Sequence, residues 1–295
     1  MTRREWSKLM LTGLAGFAMP AAGFSRSGVV IGLQSYSLRD RSLDEAIKAM
    51  VQLNIKSCEL WEGHVEPLEL QWKRNSTPEE TSRKKELLTE WRNGLQMSYI
   101  DGIREKLKKG GIKIQAYSAT IKDNISEHDL ELAFRIAKAL GTDTLTTSGT
   151  VSVMKRVDVY AKQYKINVGM HNHAHVDKPN EFATPDSFER GAKGLSEYIK
   201  INLDIGHFTA ANFDAVAFIR EHHERIVCLH LKDRKKDQGA NLPFGSGDTP
   251  IKEVLRLIRD NNWPIPANIE YEYNGADTVK ELEKCIAYCQ QIISA

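Results

Sequence analysis

The sequence is poor in cysteine, with four in 295 residues, and their spacing gives no sign of a disulfide framework. Cys285 and Cys289 are four residues apart on a predicted helix, which is a poor geometry for a disulfide. Cys58 and Cys228 each fall inside a predicted strand. We therefore interpret all four as small buried apolar residues.

The sequence also has almost no excess of charge of either sign. It contains 41 Lys and Arg against 39 Asp and Glu, a formal net charge of +2. The first 23 residues account for this excess, because they hold three basic residues against Glu5 alone. Residues 24–295 are therefore neutral overall, which removes any electrostatic argument for binding nucleic acid.

Two signs of a more complex organisation are missing as well. No Gly-x-Gly-x-x-Gly turn follows the first predicted strand, which argues against a doubly wound dinucleotide-binding sheet. No low-complexity linker or sharp change in composition divides the chain. One domain over residues 27–295 is therefore the simplest organisation.

What is present at the start of the chain is the residue order of an export signal. The basic pair Arg3-Arg4 precedes an apolar run at residues 9–19, and the small residues 20–23 follow it. This order resembles a twin-arginine signal, and the run is too short to span a bilayer comfortably. We expect residues 1–23 to direct export, with a periplasmic location and no stable membrane association after cleavage. A helical or disordered N-terminal extension is the alternative.

Strand and helix patterns alternate from residue 29 to residue 292. The predicted strands lie at residues 29–34, 57–61, 112–117, 144–147, 166–171, 199–204, 226–230 and 266–270. An amphipathic or capped helical stretch follows each strand. Eight such units fit a single-domain (β/α)8 TIM barrel, which typically needs about 250 residues.

The last four predicted strands each end on a side chain that can bind a metal. These residues are His171, Asp204, His230 and Glu270. Barrel enzymes keep their active sites at the C-terminal ends of the strands. Two imidazoles and two carboxylates suit one Mn²⁺, Zn²⁺, Co²⁺ or Fe²⁺ ion, with Mg²⁺ also compatible, better than Ca²⁺. His173 competes with His171 for the first ligand position.

Four motifs around these residues carry a family resemblance. They are His-x-His from His171, Leu-Asp-x-Gly-His ending at His207, His-Leu-Lys-Asp from His230, and Ile-Glu-Tyr-Glu around Glu270. Together they resemble the xylose-isomerase-like TIM-barrel family, which includes sugar phosphate isomerases and epimerases and the AP endonucleases of family 2. The resemblance covers residues 29–292. It implies a barrel enzyme that moves a proton next to a carbonyl through a metal-stabilised enediolate.

The resemblance also implies roles for individual residues. In the ketose 3-epimerases of that family Glu, Asp, His and Glu hold the metal, so His171 stands here where a glutamate is expected. Glu270 remains the general base, and His207 falls where the family places a histidine against substrate oxygens. His171, His173, Glu59 or Lys232 would serve the opposite face of the substrate. Lys232 lies on the same side of its strand as His230, where it could donate to the developing oxyanion.

Other strand-end residues are candidates for binding a sugar. Glu59 could bind sugar hydroxyls or orient His173, and the remaining candidates are Gln34, Tyr36, Tyr117 and Trp61. The glycine-rich segment 245–250 precedes a predicted helix, where barrels often bind phosphate. No basic residue lies in that segment, so we interpret it as a helix entry without phosphate.

Two functions of the same chemistry remain open at this point. The first is a metal-dependent sugar isomerase or epimerase. The second is an exported lyase or hydratase of 3-keto-glycosides, in which one base removes the α-proton and the β-substituent leaves. The endonuclease IV type of AP endonuclease and a non-catalytic sugar-binding barrel are weaker alternatives. The expected partner is a small sugar or glycoside and not nucleic acid, and the chain could form a homo-oligomer.

Overall fold

Eight parallel strands close into a barrel in the computed structural model, which describes residues 28–71 and 76–295. Around the barrel the strands follow the order β1-β10-β7-β6-β5-β4-β3-β2. They are β1 Ile31–Gln34, β2 Ser57–Trp61, β3 Lys113–Ala119, β4 Thr144–Thr147, β5 Asn167–His171, β6 Ile199–Asp204, β7 Ile226–Leu231 and β10 Ala267–Ile269. The predicted (β/α)8 barrel is confirmed, and the predicted export signal lies outside the described residues.

Helices alternate with these strands along the chain. They are α1 Leu43–Gln52, α2 Pro78–Gly94, α3 Met97–Lys109, α4 Glu127–Leu140, α5 Met154–Tyr164, α6 Pro185–Ala192, α7 Ile205–Ala210, α8 Ala215–His222, α9 Ile251–Asp260 and α10 Thr278–Ser294. Within the described part of the chain, no helix combines the length and the apolar character that crossing a membrane requires.

Local sequence signals explain where several helices begin and end. Ser42 and Glu45 form a reciprocal capping box at the start of α1. Thr77 caps α2 in the same way, with a proline in the first turn, as the sequence predicts. Gly141 ends α4 in the left-handed conformation, with φ at +78°. The ends of these helices are therefore encoded by residues next to them in the sequence.

Strand residues alternate between an apolar outer layer and a polar barrel interior. On β6, Ile201 and Leu203 belong to the apolar core that packs strands against helices. Asn202, between them, reaches the Glu59 carboxylate with its side-chain amide at 3.4 Å. The barrel interior is therefore filled partly by hydrogen-bonded polar groups, a feature that hydrophobic patterning does not reveal.

Within the described residues, one short helix and one short strand pair were not predicted, nor were the 3-10 helices. A short helix, α7, begins directly after Asp204, and an antiparallel pair, β8 Asp233–Arg234 with β9 Asn241–Leu242, follows β7. Both are shorter than the pattern length that sequence periodicity can detect. The four cysteines are free and buried, as expected.

Candidate active site

The four predicted metal ligands meet at the C-terminal end of the barrel. His171, Asp204, His230 and Glu270 each offer a ligand atom, and these atoms all lie within 4.8 Å of one another. All four side chains are buried. Parallel strand pairing brings them together, because β5, β6, β7 and β10 are successive neighbours in the barrel. We refer to these four residues as the cage.

Each cage residue has one buried side-chain atom that makes no hydrogen bond of regular geometry within the described residues. These buried atoms are Nδ1 of His171, Oδ2 of Asp204, Nδ1 of His230 and Oε2 of Glu270. Nδ1 of His230 lies 3.0 Å from Oε2 of Glu270. The Lys232 ammonium lies 3.0 Å from Asp204 Oδ2 and 3.1 Å from Glu270 Oε2. Buried polar atoms are normally hydrogen-bonded, so four such atoms in one group of potential ligands indicate a site that a cation can share.

Charges around the cage favour a cation. The ammonium of Lys232 lies 3.0 Å from Asp204 Oδ2, 3.1 Å from Glu270 Oε2 and 2.5 Å from Glu272 Oε2. The buried site contains these three carboxylates and also the Glu59 carboxylate. Negatively charged side chains therefore outnumber the Lys232 ammonium. Burial alone would lower the pKa of His230, but Glu59 and Glu270 raise it well above its ordinary value. The site therefore attracts positive charge.

The residues present fit a divalent metal ion. Two imidazole nitrogens and two carboxylate oxygens form a mixed donor set that suits first-row transition metals. The grouping of four potential ligand atoms within 4.8 Å of one another and the surplus of negative charge are the structural observations behind this assignment. His171 belongs to this group of four, whereas His173 lies in a separate group with His171 and His207.

Glu59 lies beneath the cage and holds His230 in place. Its Oε2 lies 2.8 Å from Nε2 of His230, so that the carboxylate accepts the Nε2 proton and leaves Nδ1 free to face the cage. The Glu59 side chain is fully buried and also accepts hydrogen bonds from Gln34, Thr146 and Asn268. From its sequence position, Glu59 is predicted to bind sugar hydroxyls or to orient His173. The structure differs, because the side chain points into the barrel interior, below the cavity.

A cavity of about 310 Å³ opens above the cage. Its walls contain most of the residues predicted to bind substrate or take part in the reaction: Gln34, Tyr36, Trp61, His171, His173, His207, His230, Lys232 and Glu270. Tyr117 is not among them. It is buried in a separate small cavity beside Glu66 and Arg92, because alternation along β3 turns its neighbour Ser118 toward the site instead.

Glu62, a carboxylate in the wall of this cavity, was not predicted from the sequence. Glu62 follows β2 directly, and its Oε2 accepts a hydrogen bond from the Thr120 backbone N–H at 3.1 Å. Burial and the negative charge of Glu66 raise the pKa of Glu62 to about 7. Its position one residue after Trp61, at the end of a strand, was the signal available in the sequence.

We expect Glu62 to make the protein less stable as the pH rises toward neutrality. Its folded-state pKa of about 7 lies above the value of about 4.3 for an unfolded glutamate. The carboxyl group therefore imposes no penalty at acid pH, and the penalty grows as the pH rises and is complete above about 7. Urea unfolding of the wild type and Glu62→Gln between pH 4 and 8 measures this contribution.

Glu62→Gln should lose this part of the pH dependence, because glutamine does not titrate. The matched control is Glu283→Gln, since Glu283 is an exposed glutamate on α10. This control should keep the wild-type dependence. Equal pH slopes for the wild type and Glu62→Gln would contradict the assignment.

The histidines of the site are neutral at physiological pH except where carboxylates hold a proton on them. Burial, and then the charge of Lys232, lowers the pKa of His173 to about 4. Burial, and then neighbouring positive groups, lowers the pKa values of His171 and His207 well below the ordinary value. Neutral imidazoles keep a lone pair, which metal binding requires.

The glycine-rich segment 245–250 does not offer a free phosphate site. The Asp233 carboxylate accepts hydrogen bonds from the backbone N–H groups of Gly245, Gly247 and Thr249 at 2.8, 2.9 and 3.2 Å. A Cβ atom on Gly247 would stand 2.0 Å from Asp233 Oδ1, so this position needs glycine. The carboxylate occupies the place that a phosphate takes in other barrels. This agrees with our interpretation of the segment as a helix entry without phosphate.

A closed eight-stranded barrel with polar side chains gathered at its C-terminal strand ends has the layout of a TIM-barrel enzyme. Residues 84–289 match the model of one family, described as xylose isomerase-like TIM barrel. The chain belongs to this family, as its motifs indicate.

Solved structures share this fold. A 3-keto-D-glucoside 4-epimerase from E. coli is 10% identical and covers 89% of this chain and 99% of its own, with a TM-score of 0.65. A D-psicose 3-epimerase is 13% identical, with coverage of 90% and 100% and a TM-score of 0.65. A sugar phosphate isomerase/epimerase from Parabacteroides distasonis is 16% identical, with coverage of 92% and 98% and a TM-score of 0.62. At these identities the similarity shows the fold alone.

A curated relative matches part of the chain. It is a threonine–tRNA ligase from Clostridium novyi, 28% identical over 146 residues. The match covers 48% of this chain and 23% of the ligase, so the chain spans about a quarter of that protein. Such a partial match shows neither a shared family nor a shared activity.

Proposed function

We propose that this protein is a metal-dependent isomerase or epimerase that transfers a proton next to the carbonyl of an unphosphorylated sugar or keto-sugar. The observation that carries the proposal is that four buried potential metal ligands lie within 4.8 Å of one another, and three of them line a polar cavity. The names of the structural neighbours, which include epimerases of psicose and of 3-keto-D-glucoside, support the same chemistry.

The cage residues would hold one divalent ion. When bound, that ion supplies a Lewis acid that polarises a carbonyl. Glu270 is the general base of the proposed reaction, because it is the glutamate of the cage and lines the cavity. Lys232 also lines the cavity, where its ammonium donates to the oxygen on which negative charge develops.

Two observations support an unphosphorylated substrate. The Asp233 carboxylate fills the backbone cradle in which a barrel would bind phosphate. The N-terminal sequence predicts export, and sugar phosphates are cytosolic metabolites. We therefore propose a neutral sugar, keto-sugar or glycoside as the partner and the periplasm as its location.

A lyase or hydratase of 3-keto-glycosides is the second candidate. The observation that favours it is His171, which replaces the second glutamate and leaves Glu270 as the glutamate of the cage. Elimination needs one base for the α-proton, whereas epimerisation needs an acid–base group on each face of the sugar. An endonuclease role has less support, because residues 24–295 carry no formal net charge that would favour binding to the nucleic-acid backbone.

Two incubations distinguish the candidates. The metal-loaded protein is mixed with free ketoses and, separately, with 3-keto-glycosides, in D₂O. An epimerase should exchange the α-proton with solvent and invert the carbon. Release of the aglycone without net epimerisation would exclude the isomerase and support the lyase. If no exchange occurs with any of these substrates, and the protein binds no metal, both candidates fail.

A further inference from the structure

His207 stands between two positively charged side chains. It lies on the first turn of α7, where its backbone N–H donates to Asp204 Oδ1 at 2.7 Å. Its ring lines the cavity. Nδ1 lies 2.7 Å from Nη1 of Arg234, and Nε2 lies 3.1 Å from Nζ of Lys232. The position of the ring proton follows from what these two neighbours can donate.

Arg234 determines the state of Nδ1. Its Nε and Nη2 both donate to the Gly239 carbonyl, at 3.1 and 2.7 Å, so the guanidinium is held in one orientation. A guanidinium only donates hydrogen bonds and stays charged at physiological pH. Nδ1 of His207 must therefore accept from Nη1, and the ring proton resides on Nε2.

Lys232 is not a hydrogen-bond acceptor for the Nε2–H group of His207. Its ammonium lies 3.1 Å from Nε2, but an ammonium only donates hydrogen bonds, so it cannot accept the Nε2 proton. Nε2 of His207 already carries a hydrogen, so it has no lone pair for a further proton. Asp204 Oδ2 lies 3.9 Å from Nε2, beyond hydrogen-bond distance. The Nε2–H group is thus a donor at the cavity wall that needs an acceptor.

We propose that Arg234 is a positioning residue that locks His207 in the Nε2–H tautomer, so that His207 acts as a neutral hydrogen-bond donor to a substrate oxygen. The assignment of the acceptor as a substrate oxygen rests on the proposed function, whereas the tautomer does not. Arg234 is absent from the cavity wall and acts through His207. A histidine held in this way does not serve as a base, because Arg234 occupies its lone pair.

The first test is the tautomer itself. Zn²⁺-loaded protein with ¹⁵N-labelled histidine is measured by NMR, in which protonated and unprotonated ring nitrogens resonate in separate ranges. His207→Gln assigns the signal by its disappearance. We expect an unprotonated Nδ1 and a protonated Nε2 in the wild type and in Arg234→Lys, which keeps a charged donor. Arg234→Met should give a mixture of both tautomers, and Arg256→Met on the exposed face of α9 should change nothing.

The second test asks whether Arg234 acts through His207. Arg234→Met should lower kcat about 10-fold, because His207 is then no longer held in the Nε2–H tautomer. Residues that act as a unit in this way are strongly coupled. Glutamine at position 207 offers a fixed amide donor without tautomers, so Arg234→Met should change kcat less than about 2-fold in that background. Equal losses in both backgrounds would overturn the proposal, as would a protonated Nδ1 in the wild type. A protein without sugar activity would refute the proposed function, and the NMR result would still decide the tautomer.

Discussion

Replacing Glu270 by glutamine should lower kcat by about 10²–10⁴-fold, the usual contribution of a general base. Glutamine has nearly the same shape but does not take up a proton. It also removes one carboxylate from the cage, where Glu270 Oε2 lies 3.0 Å from His230 and 3.1 Å from Lys232. Bound metal should fall as well. Turnover of 3-keto-glycosides and ketoses, solvent exchange of the α-proton, and elemental analysis measure the three effects.

Glu283→Gln provides the matched control for Glu270→Gln, because it makes the same chemical change at an exposed position of α10. It should leave activity and metal content unchanged. The role of Glu270 would be wrong if the variant kept its metal and exchanged the α-proton at the wild-type rate. If metal is lost together with activity, excess metal separates the two roles, since restored binding without restored exchange leaves the general base as the missing group.

Replacing Glu59 by glutamine should weaken metal binding about 10- to 100-fold, although Glu59 is not itself one of the four cage residues. Its carboxylate accepts hydrogen bonds from several donors, including His230 Nε2 at 2.8 Å and Asn268 Nδ2 at 2.8 Å. An amide group cannot replace both oxygens as acceptors, so at least one buried donor loses its partner. We also expect a loss of about 1–3 kcal/mol in the free energy of unfolding.

Competition for Zn²⁺ with a chromophoric chelator measures the affinity, and urea unfolding of the metal-free protein measures the stability. Glu62→Gln is the control, because Glu62 lies three residues away, faces the cavity and has no contact with His230. Its metal affinity should equal that of the wild type. An unchanged affinity in Glu59→Gln would show that His230 keeps its orientation without the carboxylate.

The barrel could be predicted because its signals are local. The bounds of β2, β4 and β6 agree with the predicted strands, and the side chains of Ser42 and Thr77 cap the helices that follow them directly. Strand ends in a parallel barrel meet at one mouth whatever the details of packing. The four cage residues could therefore be grouped before their distances were known.

The partners of these residues could not be predicted, because they depend on contacts between distant parts of the chain. Glu59 and His230 are 171 residues apart, and they meet because the barrel closes and both side chains point inward. Tyr117 was predicted to bind substrate, but the structure places it outside the cavity. It stands near a strand end, yet the alternation of β3 turns it away from the cavity.

By itself, the sequence determined the fold and the four ligand types of the cage. Periodicity, caps and strand-end motifs are local, so no tertiary contact is needed to detect them. The tertiary structure alone decided that Glu59 supports His230, that Glu62 enters the cavity, that Asp233 fills the phosphate cradle and that Arg234 holds His207. Each of these depends on which side chain fills the space beside a residue on another element, and that is decided only when the barrel has closed.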